Sequence, residues 1–188
     1  GQSKPSNEAE NQEEALTEQE KQTFQSIYFE GVKNKAIGNT RRAVKQFRKA
    51  LGINPAAEAA HYELSRLLEK QKAGDSAVMH ARKAVALSDS SYWYMKHLGG
   101  LYRDHNRYGK AAQVMEQITK EHEEGPKFYY QLANVYIRQN KLDKALQTYK
   151  RFEENFGVDP QIVRQQKRIY LQKNEVEKAA DAVRGLIE

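Results

Sequence analysis

QNKLDKALQTY begins at Gln139, and two related eleven-residue stretches, HNRYGKAAQVM from His105 and KNEVEKAADAV from Lys173, stand 34 residues before and after it. All three contain one motif, which reads Asn, any residue, an apolar or aromatic residue, any residue, Lys and Ala. A pattern that recurs at a fixed interval of about 20 to 50 residues is typical of a repeat architecture. The motif therefore predicts a chain built from similar structural units.

The repeat covers nearly the whole sequence without insertions. It predicts four full units and one shorter unit, which span 24–57, 58–91, 92–125, 126–159 and 160–188. Because one unit alone cannot bury its apolar faces, we expect the units to stack into one cooperative domain.

Each unit carries two apolar stripes. In the first half of the fourth unit, Leu132 and Tyr136 stand four positions apart beside the small residue Ala133. In its second half, Ala145 and Tyr149 form a similar stripe. Residues at three- and four-residue spacing lie on one face of a helix, so the pattern predicts two packed helices in each unit.

The fifteenth position of each unit lies between the two stripes. It holds Gly38, Lys72, Asn106, Asn140 and Asn174. Gly and Asn readily adopt the left-handed backbone conformation that ends many helices. The fifteenth position therefore predicts the end of the first helix, and the run that follows predicts the start of the second.

These positions together resemble the tetratricopeptide repeat, a 34-residue helix–turn–helix unit. The resemblance is carried best by FYYQLANVYIRQNKLDKALQTYKRF from Phe128 and YMKHLGGLYRDHNRYGKAAQVMEQI from Tyr94. The sequence departs from the family pattern at Asn34, at Lys72, and at Gln166 and Lys167, where the family has a leucine and a small residue. The resemblance implies an all-α fold, a right-handed α-α superhelix of about five repeats, as in bacterial multi-repeat proteins.

The composition excludes several other classes of protein. The absence of cysteine excludes disulfides, thiol nucleophiles and thiolate metal sites. No apolar run approaches the roughly 18 to 20 residues that span a bilayer. The motifs of nucleotide-binding, zinc and serine enzymes are missing, and the histidines lack the spacing of metal ligands. We predict a non-enzymatic protein without cofactor or metal, with His61 packed in the core and Glu123 and Glu124 solvating a helix end.

Charge divides the sequence into two parts. The first 23 residues carry a net charge of −4, whereas the remaining residues carry +10. The polar start of this leader predicts disorder. Thr17 and Glu20 form a capping box, which predicts that the first helix begins near Glu18. The basic repeat region favours acidic partners, among which the leader itself is a hypothetical pseudo-ligand.

The family resemblance also implies a binding surface. In tetratricopeptide repeat proteins, positions two, five, nine and twelve of each first helix line the concave groove of the superhelix. In this chain those positions and the neighbouring position thirteen supply Tyr62, Arg66, Trp93, Lys96, Arg103, Lys127, Tyr130, Asn134, Arg138, Arg164 and Arg168. Aromatic residues and Arg are common anchors of interfaces, and Arg pairs well with carboxylates. We predict a scaffold or adaptor that binds an acidic protein or peptide segment in this groove.

Three alternatives stay open. The exposed cations could serve only to solubilise the helices, with Trp93 packed between units. The basic and aromatic groove could bind single-stranded nucleic acid. The chain could also be an oligomerising fragment of a longer repeat protein, because no polar helix follows Val183, Leu186 and Ile187. The C-terminal face would then contact either a continuation of the chain or a second copy.

The sequence begins Gly-Gln rather than with Met, as a processed or engineered N-terminus does. Together with the absence of cysteine, this start leads us to expect an exported, periplasmic protein. A cytosolic protein with a purification scar is the alternative.

Overall fold

The computed structural model describes residues 15–88 and 91–184. The predicted disorder at the start of the leader lies outside these residues, as do Leu186 and Ile187. Within the described ranges the chain forms ten α-helices and no β-strand. The helices are α1 (Glu18–Ala36), α2 (Thr40–Ile53), α3 (Glu58–Lys70), α4 (Gly74–Leu87), α5 (Tyr92–Asp104), α6 (Tyr108–Glu121), α7 (Pro126–Arg138), α8 (Leu142–Phe156), α9 (Pro160–Gln172) and α10 (Val176–Arg184).

Consecutive helices form five pairs, and each pair packs against the next. The first helices of neighbouring pairs meet on one side of the array, where the Tyr62 ring of α3 lies 4.8 Å from the Tyr94 ring of α5. The second helices meet on the opposite side, where Arg151 of α8 donates to Glu116 of α6 at 3.1 Å. The stacked pairs therefore form a solenoid with two different helical surfaces.

The turn inside every pair ends the first helix in the same way. The residue at the fifteenth position has a positive φ in all five turns, at Gly38, Lys72, Asn106, Asn140 and Asn174. The next residue donates its backbone N–H to the carbonyl five residues earlier, as Arg107 does to Tyr102 at 2.7 Å. This bond defines the Schellman motif, which satisfies a carbonyl at the helix end. The predicted helix end is confirmed, and Lys72 adopts the same conformation although it is neither Gly nor Asn.

Helix α1 begins at Glu18, ahead of the repeating pattern. The Glu20 N–H donates to Thr17 Oγ1 at 3.2 Å, and the Thr17 N–H donates to Glu20 Oε2 at 2.9 Å. These two bonds form the predicted capping box and satisfy backbone donors at the helix start.

Small residues allow the paired helices to approach closely. The Ala at position twenty is buried in every pair, at Ala43, Ala77, Ala111, Ala145 and Ala179. In the first pair, Gly31 faces the Phe47 ring, and a Cβ at Gly31 would lie 3.0 Å from that ring. The core thus depends on close backbone contact as well as on large side chains.

His61 is packed in the core, as predicted, and is only 3% exposed. Its Nε2 lies 3.0 Å from the Pro55 carbonyl, and its Nδ1 lies 2.8 Å from His80 Nδ1. Because a carbonyl only accepts hydrogen bonds, the proton of His61 is on Nε2, and His80 donates from Nδ1. His61 is therefore neutral in this arrangement, and burial, followed by the neighbouring His61, lowers the pKa of His80 to about 4.

The junction between the fourth and fifth pairs is looser than the others. A cavity of about 620 Å³ opens there, with Leu146, Val163 and Tyr170 in its lining. The buried Gln166 donates to Glu153 Oε2 at 3.1 Å, at a position where the second, third and fourth pairs have a leucine. The contact between Gln166 and Glu153 is thus polar, and it lies beside this gap next to α8.

The concave groove

The first helices are amphipathic, and this property positions the groove. In α9, Ile162, Val163 and Ile169 are buried in the core, whereas Arg164 and Arg168 are exposed. All eleven predicted groove residues, on α3, α5, α7 and α9, are likewise exposed or partly exposed. Their roles in binding stay predictions.

An aromatic cluster occupies the groove at α3 and α5. Tyr62 contacts Tyr94 and also the His97 ring, whose centroid is 5.3 Å away. The Arg66 guanidinium lies 5.6 Å from the centroid of the Tyr62 ring. Sequence reasoning missed Tyr94 and His97 because they stand at positions three and six, beside those that the family uses.

His97 is held by a hydrogen-bond chain that begins in the core. The Ser65 hydroxyl donates to the Ala77 carbonyl at 2.8 Å, and His97 Nε2 lies 2.9 Å from Ser65 Oγ. Since the single hydroxyl proton goes to Ala77, His97 Nε2–H is the donor to Ser65. Burial and the nearby Arg66 lower the pKa of His97 to about 4. This imidazole is a neutral part of the groove wall at pH 7.

Acidic side chains lie among these aromatic residues. Lys35 Nζ pairs with Glu63 Oε1 at 2.7 Å, and the other Glu63 oxygen is buried without a hydrogen bond from the described residues. Burial and the Glu63 carboxylate raise the pKa of Tyr28, which faces the same region. The groove is therefore not uniformly basic, and its N-terminal part contains acidic residues that the prediction left out.

Lys96 lies in the groove but is already paired. Its Nζ donates to Glu124 Oε2 at 3.0 Å and to the Tyr92 hydroxyl. Burial of Lys96 opposes the rise in its pKa that these two hydrogen bonds cause, and the net shift is upward. Glu124 is only 7% exposed, so the prediction that it solvates a helix end is wrong. A buried carboxylate requires a cationic partner, and Lys96 provides it.

Trp93 is exposed on the surface of α5. Its side chain is 66% exposed, and its ring lies edge-on to Tyr92 at 4.9 Å. The alternative in which Trp93 packs between units is therefore wrong. Arg103, on the same helix, donates from Nε to the adjacent Asp104 at 2.8 Å.

The groove is most basic at α7 and α9. Lys127, Arg138, Arg164 and Arg168 are exposed there, and none of them forms an ion pair within the described residues. Asn134 is exposed among them. These cations are available to a negatively charged ligand.

Tyr130 lies between α7 and α9 with its hydroxyl buried. The hydroxyl forms no hydrogen bond with the described residues. Burial and the nearby Asp159 carboxylate raise the pKa of Tyr130 to about 12, while Arg164 opposes this shift. The phenol therefore stays protonated at neutral pH.

A cavity of about 350 Å³ lies where α5 meets the start of α7. Phe128 and Pro126 supply apolar walls, whereas Lys96, Lys127 and Gln131 supply polar groups. This combination suits one side chain of a bound polypeptide, with its apolar part inside and a polar end at the rim.

Two segments, residues 35–92 and 102–164, each match a family model, and both models are described as the tetratricopeptide repeat. Together the two segments cover roughly two thirds of the chain. No curated protein matches the sequence.

Solved structures share the fold at low sequence identity. MamA has a TM-score of 0.72 and 18% identity, with 87% of this chain and 90% of MamA covered. YrrB, described as a tetratricopeptide repeat protein with an unusual peptide-binding site, has a TM-score of 0.70 and 15% identity, with 87% of this chain and 88% of YrrB covered. A chain of the Naa15/Naa10 complex with HypK has a TM-score of 0.70 and 17% identity, with 88% of this chain and 27% of that chain covered.

The stacked helix pairs define a helical-repeat protein. The chain belongs to the tetratricopeptide repeat family, and its predicted all-α, right-handed superhelix is confirmed. Proteins of this family are generally non-catalytic modules for protein–protein interaction. None of the helices in the described ranges has the length and apolar character that a membrane crossing requires.

Proposed function

We propose that the protein is a non-catalytic scaffold that binds an acidic protein segment in its concave groove. The observation that carries this proposal is the set of exposed cations on α7 and α9, which form no ion pair within the described residues. The partner is a polypeptide with several carboxylates along an extended or helical stretch.

The distribution of ion pairs within the groove supports an acidic ligand that binds at α7 and α9. Lys35, Lys96 and Arg103 each contact a carboxylate of the protein itself. By contrast, Arg164 and Arg168 present guanidinium groups to solvent from neighbouring turns of one helix. Guanidinium groups bind carboxylates with two parallel hydrogen bonds, which makes them suited to an acidic ligand.

The aromatic residues of the groove provide a second kind of contact. Trp93 exposes most of its indole, and the Tyr62–Tyr94 cluster presents ring faces beside Arg66. Exposed aromatic side chains bury large apolar areas on binding and often dominate the affinity of an interface. We infer that the ligand places an apolar side chain near Trp93 and its carboxylates toward α7 and α9.

Affinity capture from native extract with two charge-reversed baits tests this proposal. The groove variant carries Lys127→Glu, Arg164→Glu and Arg168→Glu. The control carries Arg82→Glu, Lys150→Glu and Lys178→Glu on the second helices, which gives the same change in net charge. A partner that the intact protein and the control retain, but the groove variant loses, supports groove binding. Equal capture by all three baits rejects it, provided that circular dichroism shows the same helix content.

Single-stranded nucleic acid is the second candidate, because the Arg66–Tyr62 stack and Trp93 could stack bases. Binding of an oligonucleotide that weakens steeply with salt and is lost in the groove variant would favour this candidate. Acidic-peptide binding with no oligonucleotide binding at low salt removes it.

A further inference from the structure

A second basic surface lies on the opposite side of the molecule, on the second helices of the first two pairs. Six residues of α2 are exposed, and five of these are Lys or Arg, while the sixth is Gly52. Together with two cations of α4, they form a surface that we call the convex cationic face: Arg41, Arg42, Lys45, Arg48, Lys49, Arg82 and Lys83.

The charge of this face is not balanced by nearby acids in the sequence. No Asp or Glu occurs between residues 37 and 57, so α2 alone supplies five of the ten net positive charges of the repeat region. The described part of the chain contains no ion pair to any cation of α2. Further along the same side of the solenoid, Arg151 pairs with Glu116 and Lys173 pairs with Asp143. Exposed cations without an ion pair to the described residues also occur on α6 and α8, at Lys110, Lys120 and Lys144. Those helices carry acidic residues as well, whereas α2 has none.

The cations of α2 and α4 belong to one surface. Arg48 of α2 and Lys83 of α4 both lie close enough to His80 to contribute to the lowering of its pKa, of which burial is the main cause. On α4, Met79 stands three and four residues before Arg82 and Lys83, which places all three on one helical face. Met79 is 47% exposed, and Ile37, in the turn before α2, is 71% exposed. Apolar side chains therefore border the cations.

We propose that the convex cationic face binds the surface of an anionic lipid bilayer. Clusters of about four to eight Lys and Arg side chains are attracted to acidic headgroups. Their aliphatic stems, together with Ile37 and Met79, suit the boundary between headgroups and acyl chains.

The composition of the face favours a bilayer over other polyanions. None of the exposed residues of α2 is aromatic, so this helix offers neither a stacking platform for bases nor an aromatic anchor for a protein partner. A bilayer surface requires no such shape complementarity, because its charges are mobile and spread over a plane. The apolar side of α2, which includes Ala43, Phe47 and Ala50, is buried in the core. The helix therefore lies on the membrane without inserting its apolar side, and its binding is mainly electrostatic.

Co-sedimentation with vesicles tests this proposal independently of the groove. The vesicles contain phosphatidylcholine alone or with about one third phosphatidylglycerol. The face variant carries Arg41→Glu, Arg42→Glu, Lys45→Glu and Lys49→Glu, and the control carries Arg66→Glu, Arg138→Glu, Arg164→Glu and Arg168→Glu. The two variants have the same net charge but reverse opposite surfaces.

We expect the intact protein to bind only the anionic vesicles, with an affinity that falls as salt rises. The face variant should lose at least about tenfold in affinity, and the groove control less than about threefold. The helix dipole favours Glu in the first turn of α2, so Arg41→Glu and Arg42→Glu should not unfold this helix. A second variant with Gln at the same four positions removes the positive charges without adding negative ones. An equal loss in both variants overturns the proposal, as does equal binding to the two kinds of vesicle. Tighter binding of an oligonucleotide through the same four residues overturns it in favour of nucleic acid.

Discussion

The Lys96 ammonium donates to the Glu124 carboxylate across 28 residues of sequence, and this contact ties the segment before α7 to α5. Glu124 is nearly buried, whereas its neighbour Glu123 is exposed. The pair belongs to the groove wall and determines how much positive charge the groove presents at its centre.

Glu124→Ala should therefore destabilise the fold, because Lys96 loses its partner in a partly buried site. We expect a loss of about 1 to 2 kcal/mol in the free energy of unfolding, measured by urea denaturation. Glu123→Ala is the matched control and should change stability by less than about 0.5 kcal/mol. Equal effects of the two substitutions would show that the ion pair contributes nothing.

Gly31→Ala should destabilise the first pair, since the added methyl group would press against the Phe47 ring. Overpacking of this kind costs about 1 to 3 kcal/mol. Gly52→Ala, on the exposed side of α2 with open space around it, should instead stabilise by about 0.5 to 1 kcal/mol through helix propensity. Thermal unfolding of both variants measures the two changes in stability, which should have opposite signs. A Gly31→Ala protein at least as stable as the unchanged protein would contradict the close contact between Gly31 and Phe47.

Lys72→Asn should stabilise the second pair, because Lys tolerates the left-handed conformation less well than Asn. The expected gain is a few tenths to about 1 kcal/mol. The reverse change, Asn140→Lys, should destabilise the fourth pair by a similar amount. Chemical denaturation of the two variants and of the unchanged protein measures both changes in stability. If both changes had the same sign, the left-handed conformation at position fifteen would not explain them.

Stability should fall as the pH drops from about 6.5 toward 4. The pKa of His80 is lowered to about 4, chiefly by burial and then by His61, and burial likewise lowers the pKa of His97 to about 4. In this window the unfolded chain binds more protons than the folded chain, so acidification favours unfolding. The His61–His80 contact adds to this effect, because protonation would place two N–H groups against each other.

Urea midpoints at pH 7 and pH 5 measure this dependence. The variant His80→Gln with His97→Gln should show a smaller difference between the two pH values. A difference as large as that of the unchanged protein would assign the acid sensitivity to other groups.

The repeat pattern predicts most of the fold, because the same physical requirement returns every 34 residues. Position fifteen is an example, since five different turns need a left-handed residue and four of them use Gly or Asn. The partner of Lys96 was not predictable in this way. Glu124 lies in a segment that differs from unit to unit, so no column of the repeat indicates that its side chain turns inward.

The convex cationic face shows a different limit of sequence reasoning. The absence of acidic residues between 37 and 57 is visible in the sequence. However, the family resemblance directs attention to the first helices, and helical spacing alone does not show that Arg48 and Lys83 approach the same imidazole. Only the folded chain shows that α2 and α4 each bring a cation near His80.

The gap beside α8 has a mechanical consequence. A repeat array transmits force only through contacts between neighbours, so its stiffness is set separately at each junction. Because fewer residues are in contact at this junction and Gln166 replaces the leucine of the three preceding pairs, we expect the fifth pair to bend against the fourth more easily than the earlier pairs bend against one another. Arg164 and Arg168 are carried on this compliant segment, whereas Lys127 is carried on the stiffer one. A ligand that bridged them, as proposed above, would act as a brace and would draw the fifth pair toward the fourth.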